Sequence, residues 1–149
     1  MAKYIYNLNW NCFENTSFIE EVGGRCKEPH GLLELQEQLL RDISGGRRRK
    51  VPSVSQSTSM LEEALQTKRT FIVLDGITED YQLYALLGTG KMNAQSKIII
   101  TTSVLSIEEW FESRSWGYQK YKMRLLNDDE SIELLSRHAF GSSIPMEGQ

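Results

Sequence analysis

The chain has 149 residues, with 17 Lys and Arg against 20 Asp and Glu, a formal charge of −3 and two cysteines. That length suits one domain burying roughly two-thirds of its unfolded surface, and the slightly acidic total excludes an overall basic field that would steer the protein to nucleic acid or to an anionic membrane. Cys12 and Cys26 have no CxxC spacing, so neither a disulfide framework nor a zinc site is implied, and two reduced thiols suit a cytoplasmic or nuclear compartment.

Residues 1–15 place Ile5, Leu8 and Cys12 three and four apart, the spacing of one buried helical face. Lys3, Asn7 and Asn9 break any continuous apolar core of a secretory signal. No Ser, Thr, Asp or Asn precedes this segment as an N-cap, so it reads as a helix entered part-way. Residues 17–22 carry Phe18, Ile19 and Val22 and stop at Gly23-Gly24, which predicts a strand and a turn. From Gly31 to Ile43 the residues Leu32, Leu35, Leu39, Leu40 and Ile43 share one face and predict an amphipathic helix. Residues 45–57 have a loop composition, and the run Arg47, Arg48, Arg49, Lys50 reads as a solvated face. Ser59 and Glu62 have capping-box spacing and predict the start of another helix.

Two apolar runs follow, residues 71–74 ending at Asp75-Gly76 and residues 98–100 ending at Thr101-Thr102-Ser103. Strands apolar on both faces belong inside a parallel sheet covered by helices. Asp80 to Leu87 supplies a connecting helix with Tyr81, Leu83, Tyr84 and Leu87. Ser106 and Glu109 repeat the capping-box spacing ahead of Trp110 and Phe111. Residues 121–126 alternate like a final strand, and Asn127 can cap a last helix carrying Ile132, Leu134, Leu135 and Phe140, closed by Gly141. The alternation of strands and helices predicts an α/β class, and no run approaches the ~20 apolar residues of a membrane span.

Open parallel sheets bind ligands at the carboxyl ends of their strands, so the polar residues there carry the chemistry. Asp75 places a carboxylate at that edge, where a hydrated Mg²⁺ could sit; the competing reading is an ordinary Asp-Gly turn. The hydroxyls of Thr101 and Thr102 could meet a phosphate or satisfy strand-end backbone groups. A phosphate cradle needs Gly, four residues, Gly-Lys and then Ser or Thr. Gly90-Lys91 fails that pattern twice, with Ala85 at the first Gly and Met92 at the hydroxyl. His30 and His138 lack the neighbours of a catalytic base, neither cysteine has a base in view, and Trp10, Trp110 and Trp116 read as core or interface residues.

Several stretches together resemble the nucleotide-binding (NB-ARC) domain of plant TIR-type nucleotide-binding leucine-rich-repeat immune receptors. SFIEEV at residues 17–22 with GLLELQEQLLRDI at 31–43 resembles the first internal motif of the TIR subgroup. FIVLDGI at 71–77 resembles the kinase-2 or Walker B strand, SKIIITT at 96–102 the next strand motif, and YKMRLLNDDESIELLSRHAFG at 121–141 the third. Residues 1–7 resemble the helix that follows the family's Gly-Lys-Thr-Thr phosphate loop.

The resemblance implies a three-layer, P-loop NTPase-like parallel sheet with helices on both faces. It also implies that residues 1–149 are a partial NB-ARC domain, without the phosphate loop, the Gly-Leu-Pro-Leu motif, the TIR domain and the leucine-rich repeats. The family's central first strand, which lies between the two apolar strands, is missing with the loop. The family domain is a switch in defence signalling that binds ADP or ATP with Mg, which would give Asp75 the metal and Thr101 and Thr102 the nucleotide. Three departures stand out: Gly76 where a second Asp is usual, Ser103 where an Arg is usual, and Thr78 for the subgroup's Asp. Without Lys and backbone N–H groups around the phosphates, this chain is expected to bind nucleotide weakly or not at all and to be non-catalytic. The alternative expectation is an interaction module that pairs with full-length receptors. Neither nucleic acid nor membrane is an expected partner.

Overall fold

Three parallel strands form one side of a five-stranded sheet in the order β1-β2-β3-β5-β4. They are β1 (Asn15–Ile19), β2 (Thr70–Leu74) and β3 (Lys97–Thr102); β4 (Tyr118–Arg124) and β5 (Glu130–Ser136) complete it. The computed structural model describes residues 2–47, 50–124 and 130–136. The helices are α1 (Ala2–Asn9), α2 (Val22–Arg25), α3 (Gly31–Ile43), α4 (Val54–Thr67), α5 (Asp80–Leu87) and α6 (Ile107–Ser113).

The alternation of side chains along a strand divides the core into two layers. Ile19, Ile72, Leu74, Ile98 and Ile100 join Leu35, Leu39, Leu40 and Ile43 of α3, Leu61 and Leu65 of α4, Leu83, Leu86 and Leu87 of α5, and Phe111 of α6. On the opposite face Phe71, Val73 and Ile99 meet Ile5 and Tyr6 of α1, together with Phe13 and Phe18. Tyr6 and Phe13 both stack on Phe71, with ring centroids 5.8 and 5.1 Å away. Helices therefore cover both faces, as the unbroken apolar runs require. Every residue of β2 is buried, each apolar one contributing about 1.5–3 kcal/mol by leaving water.

The two apolar strands are direct neighbours. Phe71 to Leu74 pair in register with Lys97 to Ile100, and no strand among the described residues lies between them. Hydroxyl groups join the start of this seam as well: Ser96 Oγ accepts the Thr70 N–H at 2.9 Å and donates to the Lys68 carbonyl at 3.2 Å.

The expected helix at Gly31–Ile43 and the connecting helix at Asp80–Leu87 have the predicted bounds. Others shift. The first helix ends at Asn9 and tightens into a 3₁₀ turn over Trp10–Cys12, which changes the phase and leaves Cys12 exposed. The first strand lies at Asn15–Ile19, because Glu21 takes φ 52 and turns the chain into α2, within which Gly23 and Gly24 fall. Helix α4 starts ahead of the Ser59–Glu62 box. Its cap is Ser53, whose hydroxyl accepts the Gln56 N–H at 3.3 Å, and Ser59 is an interior residue bonded back to the Ser55 carbonyl. Ser106 caps α6 without a side-chain bond.

The expected final helix is corrected. Residues Glu130–Ser136 form β5, antiparallel to both β3 and β4, so the right-hand part of the sheet is not parallel. A strand here gains ladder bonds on two sides and pairs the backbone of β3 from Ile98 to Thr102, groups that a helix would leave without a sheet partner. Residues 125–129 and 137–149, which include the predicted cap Asn127, the end of the predicted strand at 125–126, His138, Phe140 and Gly141, lie outside the described residues.

Candidate functional site

Asp75, Thr101 and Thr102 stand together at the carboxyl edge of the parallel strands. Register places Leu74 beside Ile100, so the residues that follow each strand become neighbours. The Thr101 hydroxyl donates to Asp75 Oδ1 at 2.6 Å and accepts the Gly76 N–H at 2.9 Å. The Thr101 carbonyl accepts from Gly76 and Ile77 at 3.1 and 3.0 Å. Thr102 Oγ1 donates to the Ile77 carbonyl at 2.6 Å and accepts the Val104 N–H at 3.0 Å. Both hydroxyls thus bond within the protein. Thr101 additionally orients the half-buried Asp75 carboxylate, whose Oδ2 has no hydrogen-bond partner among the described residues.

The loop after Asp75 rests on the turn after β1. The Val22 N–H donates to the Asp75 carbonyl and the Gly23 N–H to the Gly76 carbonyl, both at 2.9 Å, while the Asp75 N–H reaches the Ile19 carbonyl at 2.8 Å. Gly23 is required for this approach, since a Cβ there would lie 2.4 Å from Thr78 Cγ2. Gly76 has φ +76, a left-handed conformation that glycine adopts without the cost other residues meet; the departure from a second Asp thus coincides with a turn that favours glycine. Thr78 and Glu79 N–H groups both go to Gln82 Oε1, at 2.9 and 3.1 Å, at the capped start of α5.

Mg²⁺ takes one or two carboxylates and keeps several waters, and an oriented Asp75 with a free oxygen meets that need. No cluster of three His, Cys, Asp or Glu side chains among the described residues could hold a metal, so water must complete any shell. Phosphate needs unpaired backbone N–H groups converging on it. The N–H groups of Val22, Gly23, Gly76, Ile77, Thr78, Glu79 and Val104 all have acceptors within the protein. Asp75 can thus offer a carboxylate oxygen to a hydrated cation, and these seven N–H groups are each directed at a protein acceptor.

A family model described as the NB-ARC domain matches residues 13–144. The chain belongs to the NB-ARC domain family. Curated relatives of this NB-ARC chain include disease resistance protein RPV1 from Vitis rotundifolia, 36% identical over 97% of the chain. Disease resistance protein RUN1 from the same plant is 34% identical over 97%, and disease resistance-like protein DSC1 from Arabidopsis thaliana is 30% identical over 98%. The chain spans 10%, 11% and 12% of those proteins. The α/β architecture, with its three-stranded parallel sheet between helices, is that of a P-loop NTPase-like NB-ARC fold.

Other candidates in this NB-ARC chain are structural. Gly90 has φ +75 and packs where a Cβ would lie 2.3 Å from the Trp116 indole, so Gly90-Lys91 belongs to a packing contact. Trp116 is buried and Trp110 packs against the core. His30 is exposed, with φ 60, and precedes α3. Burial pushes the Cys26 thiol up, offset in part by Tyr81 and Arg25, which disfavours the reactive thiolate. Among the described residues no helix is long and apolar enough to cross a membrane.

Sequence reasoning did not find Ser17 donating to Asp42 at 2.7 Å or the buried Gln36, whose Nε2 lies 2.8 Å from the Ala85 carbonyl and 3.1 Å from Thr58 Oγ1. Ser17 and Asp42 meet from different elements, as do Gln36 and Ala85, so only their long-range pairing reveals them.

Proposed function

We propose that this chain is part of the nucleotide-dependent switch domain of a plant immune receptor, and that it carries the metal-facing half of the site without the phosphate-gripping half. The family match and the names of the relatives support the first statement. The observation that supports the second is the contrast between an oriented Asp75 carboxylate and the neighbouring N–H groups of Val22, Gly23, Gly76 and Ile77, which all have protein acceptors. In this reading Asp75 would hold Mg²⁺, with water filling the rest of its shell. Thr101 positions the carboxylate, and Thr102 holds the loop that faces the nucleotide. Bound Mg²⁺ would neutralise phosphate charge, while the chain's own residues orient the carboxylate and fix the loop. By itself the chain binds ADP or ATP weakly or not at all and does not turn over ATP.

A gain-of-function experiment tests this reading. Placing a strand and the family's Gly-Lys-Thr-Thr loop ahead of Met1 should confer saturable binding of ADP in the presence of Mg²⁺, and Asp75→Asn in that chimera should weaken the Mg²⁺ dependence. A folded chimera whose ADP binding is indifferent to Mg²⁺ and to Asp75 would contradict it.

A further inference from the structure

The short turn after α6 grips α5 at both of its ends. Arg114 Nη1 lies 2.5 Å from Oδ1 of Asp80, the first residue of α5, and donates to the Trp110 carbonyl at 2.8 Å. The guanidinium also lies 5.4 Å from the Trp116 ring centroid. Two residues further on, the Trp116 indole N–H donates to the Thr89 carbonyl at 2.9 Å, just past the Gly88 cap of α5. Gly90 is the floor of that contact, because any Cβ there would strike the indole. An 8-residue helix is about 12 Å long, a span that an arginine and a tryptophan can straddle if the backbone between them reverses. Ser115 supplies the reversal with φ 56, a left-handed conformation that costs a residue with a Cβ free energy.

The position of α5 matters to the edge of the sheet. Its N-terminal capping box, Glu79 with Gln82, accepts the N–H groups of Thr78 and Glu79, and these residues continue from Gly76 and Ile77, which are bonded to Thr101. A rigid helix pinned at its first residue therefore sets where the Asp75 loop ends. Arg114 is largely covered and Asp80 about half exposed, at 18% and 47%, and their close contact is an ion pair rather than an aligned hydrogen bond.

We infer that Arg114 and Trp116 form a two-point clamp on α5 that couples the α6–β4 connection to the loop carrying Asp75. The clamp rests on contacts that involve no nucleotide, so it stands or falls separately from the binding reading. Native-state hydrogen exchange on the whole chain tests it. Arg114→Ala should speed exchange at Gly76, Ile77, Thr78 and Glu79 by about tenfold, with Ile72 and Ile98 changed by less than about twofold, the pattern of a local opening. Asp80→Asn, which keeps its shape, should reproduce the pattern. Adding it to Arg114→Ala should accelerate exchange no further, as expected for two halves of one interaction. Should Arg114→Ala fail to fold, Asp80→Asn alone carries the test. Acceleration spread evenly over β2, β3 and the loop, or unchanged exchange at the loop, would overturn the inference.

Discussion

Replacing Thr101 by valine removes one oxygen from a buried position while keeping the shape of the side chain. That hydroxyl gives Asp75 Oδ1 a 2.6 Å hydrogen bond and receives the Gly76 N–H at 2.9 Å. Gly76 keeps a second acceptor in the Thr101 carbonyl at 3.1 Å, so the backbone loss is small and the carboxylate loss dominates. A hydrogen bond to a charged group contributes about 1.5–3 kcal/mol, and the half-buried carboxylate cannot recover all of it from water. Thr101→Val should therefore destabilise by about 2 kcal/mol in urea unfolding at neutral pH. Thr101→Ser keeps the hydroxyl and loses one methyl, worth about 0.8 kcal/mol. A double-mutant cycle with Asp75→Asn should return a coupling of at least about 1 kcal/mol. Equal destabilisation by valine and serine, or a coupling near zero, would refute the claim that Thr101 orients Asp75.

Three further outcomes follow from the contacts. Gly31→Ala should abolish folding or cost more than about 3 kcal/mol, because its Cβ would lie 1.7 Å from the Arg25 carbonyl oxygen; thermal melting with circular dichroism would show this. Ser115→Gly should stabilise by about 1 kcal/mol, since Ser115 has φ 56 and ends α6 with Trp116 N–H bonded to the Phe111 carbonyl; a raised urea midpoint would show it. Burial holds the Asp42 carboxyl above the usual carboxylate range, with Ser17 and Arg41 opposing the shift. A folded-state pKa above the unfolded one makes the residue's contribution fullest below about pH 4 and smaller as pH rises through the folded value. Asp42→Asn should thus gain stability relative to the parent as pH climbs from about 3 to 6, and an advantage that shrinks over that window would contradict the sign.

The elements legible in the sequence are those whose signals are local. Helix α3 shows its apolar stripe, α5 its Tyr81, Leu83, Tyr84 and Leu87, and the runs at 71–74 and 98–100 are too apolar for anything but covered central strands. The meeting of Asp75 with Thr101 and Thr102 was legible for the same reason, because they terminate those runs and parallel register brings run-ends together. What failed depended on partners far away in sequence. Residues 130–136 have apolar positions compatible with either period, and the unpaired side of β3 together with the adjacent β4 decides for a strand. The Ser59 box mimicked a helix start because Ser and Glu three apart also occur inside a helix, where the Ser59 hydroxyl bonds to the carbonyl four residues back. Arg114 gave no sign of its grip on Asp80, since an arginine at a helix end is ordinary and the rest of α5, β3 and α6 lie between the two in sequence.

If this edge presents a metal ligand without a phosphate cradle, titrating the labelled chain with ADP in saturating Mg²⁺ separates the two. Amide spectra should show small Mg²⁺-dependent shifts at Gly76, Ile77 and Thr102 that Asp75→Asn removes, and no saturable change on adding ADP up to about 1 mM, a concentration corresponding to about −4 kcal/mol of binding. Saturable ADP-dependent shifts at Val22, Gly23 or Gly76 below that concentration would show that the N–H groups around Asp75 can release their protein acceptors for phosphate, and would contradict the account.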